Sequence, residues 1–287
     1  MMAEYKDGKW ARQLLEMQKP DGSWGHFHTL SLPTERPVTT EQALRRLEVL
    51  GFTMKDEPIR RAVSYLEDCM AGRTAITDPT EKTHYWPLFT RMMFATWLLR
   101  FVPGHPEAAK VAKQWAEVIA AAFASGAYSP ENYSAAYLEV FGRAARGDRN
   151  IDFVSFYQIS LLAEEIASEI EDAYFDYVIS HEGGIYYYGR RAVAELPDFH
   201  SKAASSYLAQ IELLCRYPNA ILREKLAFVR AWLLENRGED GCWDMSAAAK
   251  DGVWLPLSDS WRKAEDRAGD CTERIERLLG RMEEREG

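Results

Sequence analysis

Apolar residues recur at helical spacing along almost the whole chain, and strand-type alternation is nearly absent. In the first segment Trp10, Leu14, Leu15 and Met17 fall at helix-like intervals. Lys19-Pro20-Asp21-Gly22 then stops the helix, because proline cannot continue it and glycine accepts a positive φ. The same reading predicts helices over 40–50, 58–70, 86–102, 107–125, 132–145, 153–166 with a continuation to 179, 201–216, 221–236 and 260–285. Breaks at Gly51-Phe52, Pro103-Gly104-His105-Pro106 and Tyr217-Pro218-Asn219 carry the residues that end helices. Thr39-Thr40 followed by Glu41-Gln42 reads as a helix cap. The tyrosine run 186–188 is the one candidate for a strand. The expected fold class is all-α, in a single domain over 1–287.

The helices are punctuated at a regular interval. Gly22, Gly72, Gly126, Gly184 and Gly241 stand 50, 54, 58 and 57 residues apart. The first and last carry a tryptophan two residues later, Trp24 and Trp243; Gly126 and Gly184 carry Tyr128 and Tyr186. A period of roughly 50–60 residues holds two helices and two connections, a helical hairpin. Leu47-Glu48-Val49-Leu50-Gly51 echoes Leu138-Glu139-Val140-Phe141-Gly142. The stretch 131–179 fits the period least and is expected to hold an extra helix.

Composition narrows the function classes. The 287 residues are 47% hydrophobic and carry a net charge of −9. Basic residues are mixed with acids on helical stretches, as in Arg223-Glu224-Lys225, so no block offers phosphate a basic patch and nucleic-acid binding is not expected. No apolar run reaches the ~18 residues of a membrane span. Cys69, Cys215, Cys242 and Cys271 are far apart and form no C-x-x-C pair. With no signal-type segment at 1–10, the expectation is a reduced, cytoplasmic protein.

Leu14-Leu15-x-x-Gln18-x-x-x-Gly22-x-Trp24 resembles the QW motif of squalene and other terpenoid cyclases, and the related turns of protein prenyltransferase β subunits. Asp240-Gly241-Cys242-Trp243 is a second copy, with Arg237 where the glutamine would stand. The resemblance implies an α/α toroid of about five to six helical hairpins, inner helices surrounding a central cavity. The catalytic signatures of these families are missing. There is no D-x-D-D acid and no counterpart of the prenyltransferase zinc set. Asp270-Cys271-Thr272-Glu273 approaches the D-C-T-A-E of oxidosqualene cyclases but lacks its alanine, and reads more simply as a helix N-cap.

The segments after the glycine turns are rich in histidine and aromatic residues, and in such a fold they would lie at one rim of the cavity. Histidine moves protons near neutral pH. Should the chain be catalytic, His84 and His200 are the acid/base candidates, with Asp198 orienting His200; the plainer reading of Asp198 is a helix cap. Trp86, Tyr133, Tyr187 and Trp254 are the candidate pocket aromatics, able to stabilise cationic charge on their π faces. The ligand expected is an apolar or amphipathic small molecule. No cofactor is expected. His26-x-His28 with a third histidine would be a weak zinc set. Asp172-x-x-x-Asp176 puts two carboxylates on one helix face, and a solvated surface is its plainer meaning. The rival readings are a non-catalytic protein-interaction scaffold and a metal-dependent hydrolase.

Overall fold

The computed structural model describes residues 5–32, 34–35, 37–80, 85–145 and 153–283. Among these the fold is all-α: twelve α-helices and no named strand, with a single isolated bridge between Ser155 and Tyr186 in the tyrosine run. None of the described helices is long and apolar enough to cross a membrane. The described residues fall into two compact units, one within 1–111 plus 257–259, the other within 112–256 plus 260–287.

The first unit holds α1 (Lys9–Met17), α2 (Thr40–Val49), α3 (Glu57–Met70) and α4 (Trp86–Phe101), and ends inside α5 (Pro106–Ala122). α3 buries Ile59, Ala62, Val63, Leu66 and Cys69, a single stripe at helical spacing. α4 is buried from Met92 through Leu98 without interruption, as a helix enclosed on all sides must be. α2 begins with a full capping box: Thr39 Oγ1 accepts the Gln42 N–H at 3.3 Å, and Gln42 Oε1 accepts the Thr39 N–H at 3.0 Å. α1 has no side-chain cap of its own; its Lys9 N–H donates to Asp259 Oδ1 at 2.7 Å.

The second unit holds α6 (Pro130–Phe141), α7 (Phe156–Leu161), α8 (Glu171–Ser180), α9 (Lys202–Leu214), α10 (Ala220–Lys225), α11 (Ala227–Glu235) and α12 (Ala264–Glu283). All six residues of α7 are buried, and α9 is buried over most of its length. The single helix expected over 221–236 is two, parted at Leu226. The long helix expected from 153 is a short α7, two 3-10 turns and then α8.

The punctuating glycines share one geometry. Gly22, Gly72, Gly126, Gly184 and Gly241 have φ of +91°, +71°, +84°, +62° and +83°. Each donates its N–H to the carbonyl three residues back: Lys19, Cys69, Phe123, His181 and Gly238. The two tryptophan turns agree further, bond for bond. Trp24 Nε1 donates to Leu14 O at 2.8 Å, and Trp243 Nε1 to Leu233 O at 2.6 Å. Each indole, almost fully buried, reaches back ten residues to the helix just completed. Gln18 Nε2 donates to Gly22 O at 3.0 Å; Arg237 Nε donates to Gly241 O at 2.7 Å. The tryptophan backbone N–H donates to a threonine of a later helix, Thr40 Oγ1 in α2 at 3.1 Å or Thr272 Oγ1 in α12 at 2.9 Å.

This corrects the reading of Asp270 and Thr272 as an N-cap. α12 starts at Ala264, so both lie inside it. Asp270 Oδ2 accepts the Trp261 indole at 2.9 Å, and Thr272 holds the Trp243 turn.

Candidate functional site

A strained turn and buried polar side chains lie together in the second unit, around the tyrosine run. The turn from Gly184 to Gly189 wraps Gln210 of α9, which is 1% exposed. Gln210 Oε1 accepts the Ile185 N–H at 2.8 Å. A Cβ on Gly184, at φ +62°, would lie 2.3 Å from the Arg191 carbonyl, so only glycine fits there, and one on Gly189 would lie 2.2 Å from Gln210 Nε2 and force that side chain to move. Tyr186 N–H donates to Val154 O and Phe156 N–H returns to Tyr186 O, both at 3.0 Å, which fixes the run against the entry to α7.

Between these restraints Tyr187 has φ +75°. A bulky residue in the left-handed region costs about 1–2 kcal/mol and persists only where its surroundings impose it. Its half-buried ring stands 4.2 Å from that of Tyr186 and 5.1 Å from that of Tyr157. Tyr188 turns inward, 5.0 Å from Phe156 and 5.2 Å from Trp254.

Trp254 rests on a charged foundation. Asp251 Oδ1 accepts the N–H groups of Val253 and Trp254, each at 2.7 Å. Its other oxygen takes the Ser205 hydroxyl. Arg274 Nη1 donates to Ser205 Oγ at 2.6 Å and Nη2 to Ser205 O at 2.9 Å. Arg274 also grips Glu212 in a two-point ion pair at 2.7 and 3.0 Å, with its guanidinium 6.0 Å from the Trp254 ring centroid. Burial draws the Arg274 pKa down, but the Glu212 carboxylate more than offsets this, and the net shift is upward. A buried charge of this kind is tolerable only when fully bonded, and it fixes the loop that presents Trp254.

Of the residues expected from sequence, Tyr187 and Trp254 both neighbour Tyr188, the first as the residue before it in the chain and the second by a ring contact at 5.2 Å. Tyr133, fully buried on α6, lies 6.2 Å from Tyr128 and 6.1 Å from Tyr137 in an aromatic row. Trp86 opens α4 in the first unit, 5.9 Å from Phe89. His84 lies outside the described residues. His200 is exposed, its ring edge-on to Phe199 at 5.3 Å. Asp198 Oδ1 accepts the backbone N–H of His200 at 3.0 Å, a turn-forming bond to the main chain. His26 and His28 sit in a loop held by Asp78, whose carboxylate accepts the Phe27 and His28 N–H groups at 2.6 and 2.8 Å. Asp172 and Asp176 share a face of α8 and both meet Lys225, the former at 2.9 Å. Among the described residues no three His, Cys, Asp or Glu side chains gather as metal ligands.

Sequence reasoning missed Gln210, Ser205, Glu212, Asp251 and Arg274. A signal existed for Arg274. Cys271, Ile275, Leu278 and Met282 form the buried stripe of α12, and Arg274 falls on it, three residues after Cys271 and four before Leu278. A charge on an apolar stripe marks a buried ion pair.

Comparison with family models, with curated proteins and with solved structures finds no match for this chain.

Proposed function

We propose that the chain is a divergent relative of the terpenoid cyclases and prenyltransferase β subunits that binds an apolar or amphipathic small molecule, with Tyr187 and Trp254 among its contacts. The kinship is supported by the QW-type turn at Trp24 and its second copy at Trp243, which share the indole bond and a side-chain donor to the glycine carbonyl, Gln18 in one and Arg237 in the other. The binding role rests on one observation: Tyr187 is held at φ +75° with its ring half-buried beside Tyr186. Strain of that kind is retained where a side chain must be presented in a set direction. Tyrosine suits an amphipathic ligand, offering a flat apolar face and a polar edge.

The test is Tyr187→Gly, measured for stability and for binding of an anilinonaphthalene sulfonate probe displaced by a long-chain isoprenoid alcohol. Glycine relieves about 1–2 kcal/mol of backbone strain and loses the ring contacts to Tyr186 and Tyr157, about 0.5–1.5 kcal/mol each, so the two effects largely offset. The expected outcome is near-native stability with at least about tenfold weaker probe binding, the loss of roughly 1.4 kcal/mol of contact. Unchanged probe binding, or no displacement by the alcohol in the native protein, overturns the reading.

A further inference from the structure

α1 depends on residues far along the chain. It has nine residues, of which only Ala11 and Leu14 are buried, and a helix this short does not hold in water without help from its surroundings. Gly8 gives it no side-chain cap, and its first turn has no acidic residue to meet the helix dipole. Ser258 and Asp259 supply what is missing. Asp259 Oδ1 accepts the Lys9 N–H at 2.7 Å, and Ser258 O accepts the Trp10 indole N–H at 2.9 Å. Leu257–Asp259 belong with α1 to the first unit.

Trp254 stands five residues before Asp259. Its loop is closed on itself. Asp251 Oδ1 accepts the Leu255 N–H at 3.3 Å besides those of Val253 and Trp254, and Leu255 O accepts the Gly252 N–H at 2.9 Å. From that loop to the α1 cap the chain has little slack, because Trp254, Leu255, Pro256 and Leu257 are buried in succession. Close-packed side chains pass a displacement on rather than absorb it. A short segment bonded at both ends and buried between them therefore transmits a shift from one end to the other.

We propose that residues 254–259 act as a strap through which the docking of α1 controls the placement of Trp254. With α1 docked, Asp259 and Ser258 are held and Trp254 keeps its contact with Tyr188. With α1 released, the strap slackens and Trp254 is no longer fixed. Such coupling is reciprocal, so whatever holds Trp254 also holds α1. As regulation of ligand binding, the strap rests on the reading of Trp254 as a ligand contact; as a link between Trp254 and α1, it is measured without any ligand.

The full chain is labelled with 5-fluorotryptophan, and the Trp254 resonance is assigned by its loss in Trp254→Phe. In Asp259→Ala the α1 amides should exchange about threefold faster or more relative to those of α3, the lower end of what a lost cap is worth. In the same variant the Trp254 fluorine resonance should shift or broaden, while that of Trp243 stays in place. Asp259→Asn keeps an acceptor oxygen and should restore both signals. From the other end, Asp251→Ala should speed α1 exchange relative to α3. Faster α1 exchange with an unmoved Trp254 resonance overturns the strap, and so does α1 exchange that neither variant changes. Linked changes in a native protein that binds no probe would support the strap and strike the ligand-binding role alone.

Discussion

Gly22 and Gly126 share a left-handed backbone but not a neighbourhood. A Cβ on Gly22 would lie 2.3 Å from the Arg61 carbonyl, whereas one on Gly126 would meet nothing within 4 Å. Gly126→Ala should therefore cost only the backbone penalty, about 1–2 kcal/mol. Gly22→Ala should add a steric clash against main chain, for a total of about 2–5 kcal/mol. Urea midpoints of the two variants measure the difference, and equal losses would mean that the chain around Arg61 yields. The clamp tryptophans are open to the same kind of test. Trp24→Phe and Trp243→Phe each keep a ring and lose the indole bond to Leu14 O or Leu233 O. Each should destabilise by about 1–3 kcal/mol, the cost of a buried carbonyl left unpaired.

Among the elements, α1 and α2 obtain their caps in opposite ways. α2 is capped by Thr39 and Gln42, three residues apart, and the sequence shows it. α1 is capped by Asp259, 250 residues away in the chain, and nothing local announces it. Thr39→Ala and Asp259→Ala should each cost about 0.5–2 kcal/mol. Only Asp259→Ala should open the amides of 9–12 to hydrogen exchange. The same distinction governs what could be read in advance. Helix spans, the glycine turns and the all-α class were legible because they depend on spacing within a few residues. At the site, Tyr187 and Trp254 stood out as aromatics near turns. Their support did not, because Arg274 meets Glu212 across 62 residues and Ser205 across 69. The breaks at Leu226 and after Leu161 were missed because apolar spacing continues through both.

For the molecule as a whole, buried acidic protons set the alkaline limit. Burial pushes the thiols of Cys69 and Cys271 to about 11 and that of Cys215 to about 12, from an ordinary value of 9.0. Tyr174, Tyr207 and Tyr217 are raised in the same direction, also by burial. Each group holds its proton more tightly folded than unfolded. Its stabilisation is complete below the unfolded value and is lost as pH rises through the folded one. The urea midpoint should therefore decline steadily from pH 9 to 12, and Cys215→Ala should flatten part of that slope. An unchanged slope would place the alkaline loss elsewhere. The exchange of Gln18 for Arg237 carries a different consequence. An amide in one turn and a guanidinium in the other deliver an N–H to the same carbonyl position, one with charge and one without. The motif is thus degenerate in spelling and conserved in grammar. A further copy of this turn is to be sought as a donor reaching a glycine carbonyl and an indole reaching back ten residues, whatever letters happen to supply them.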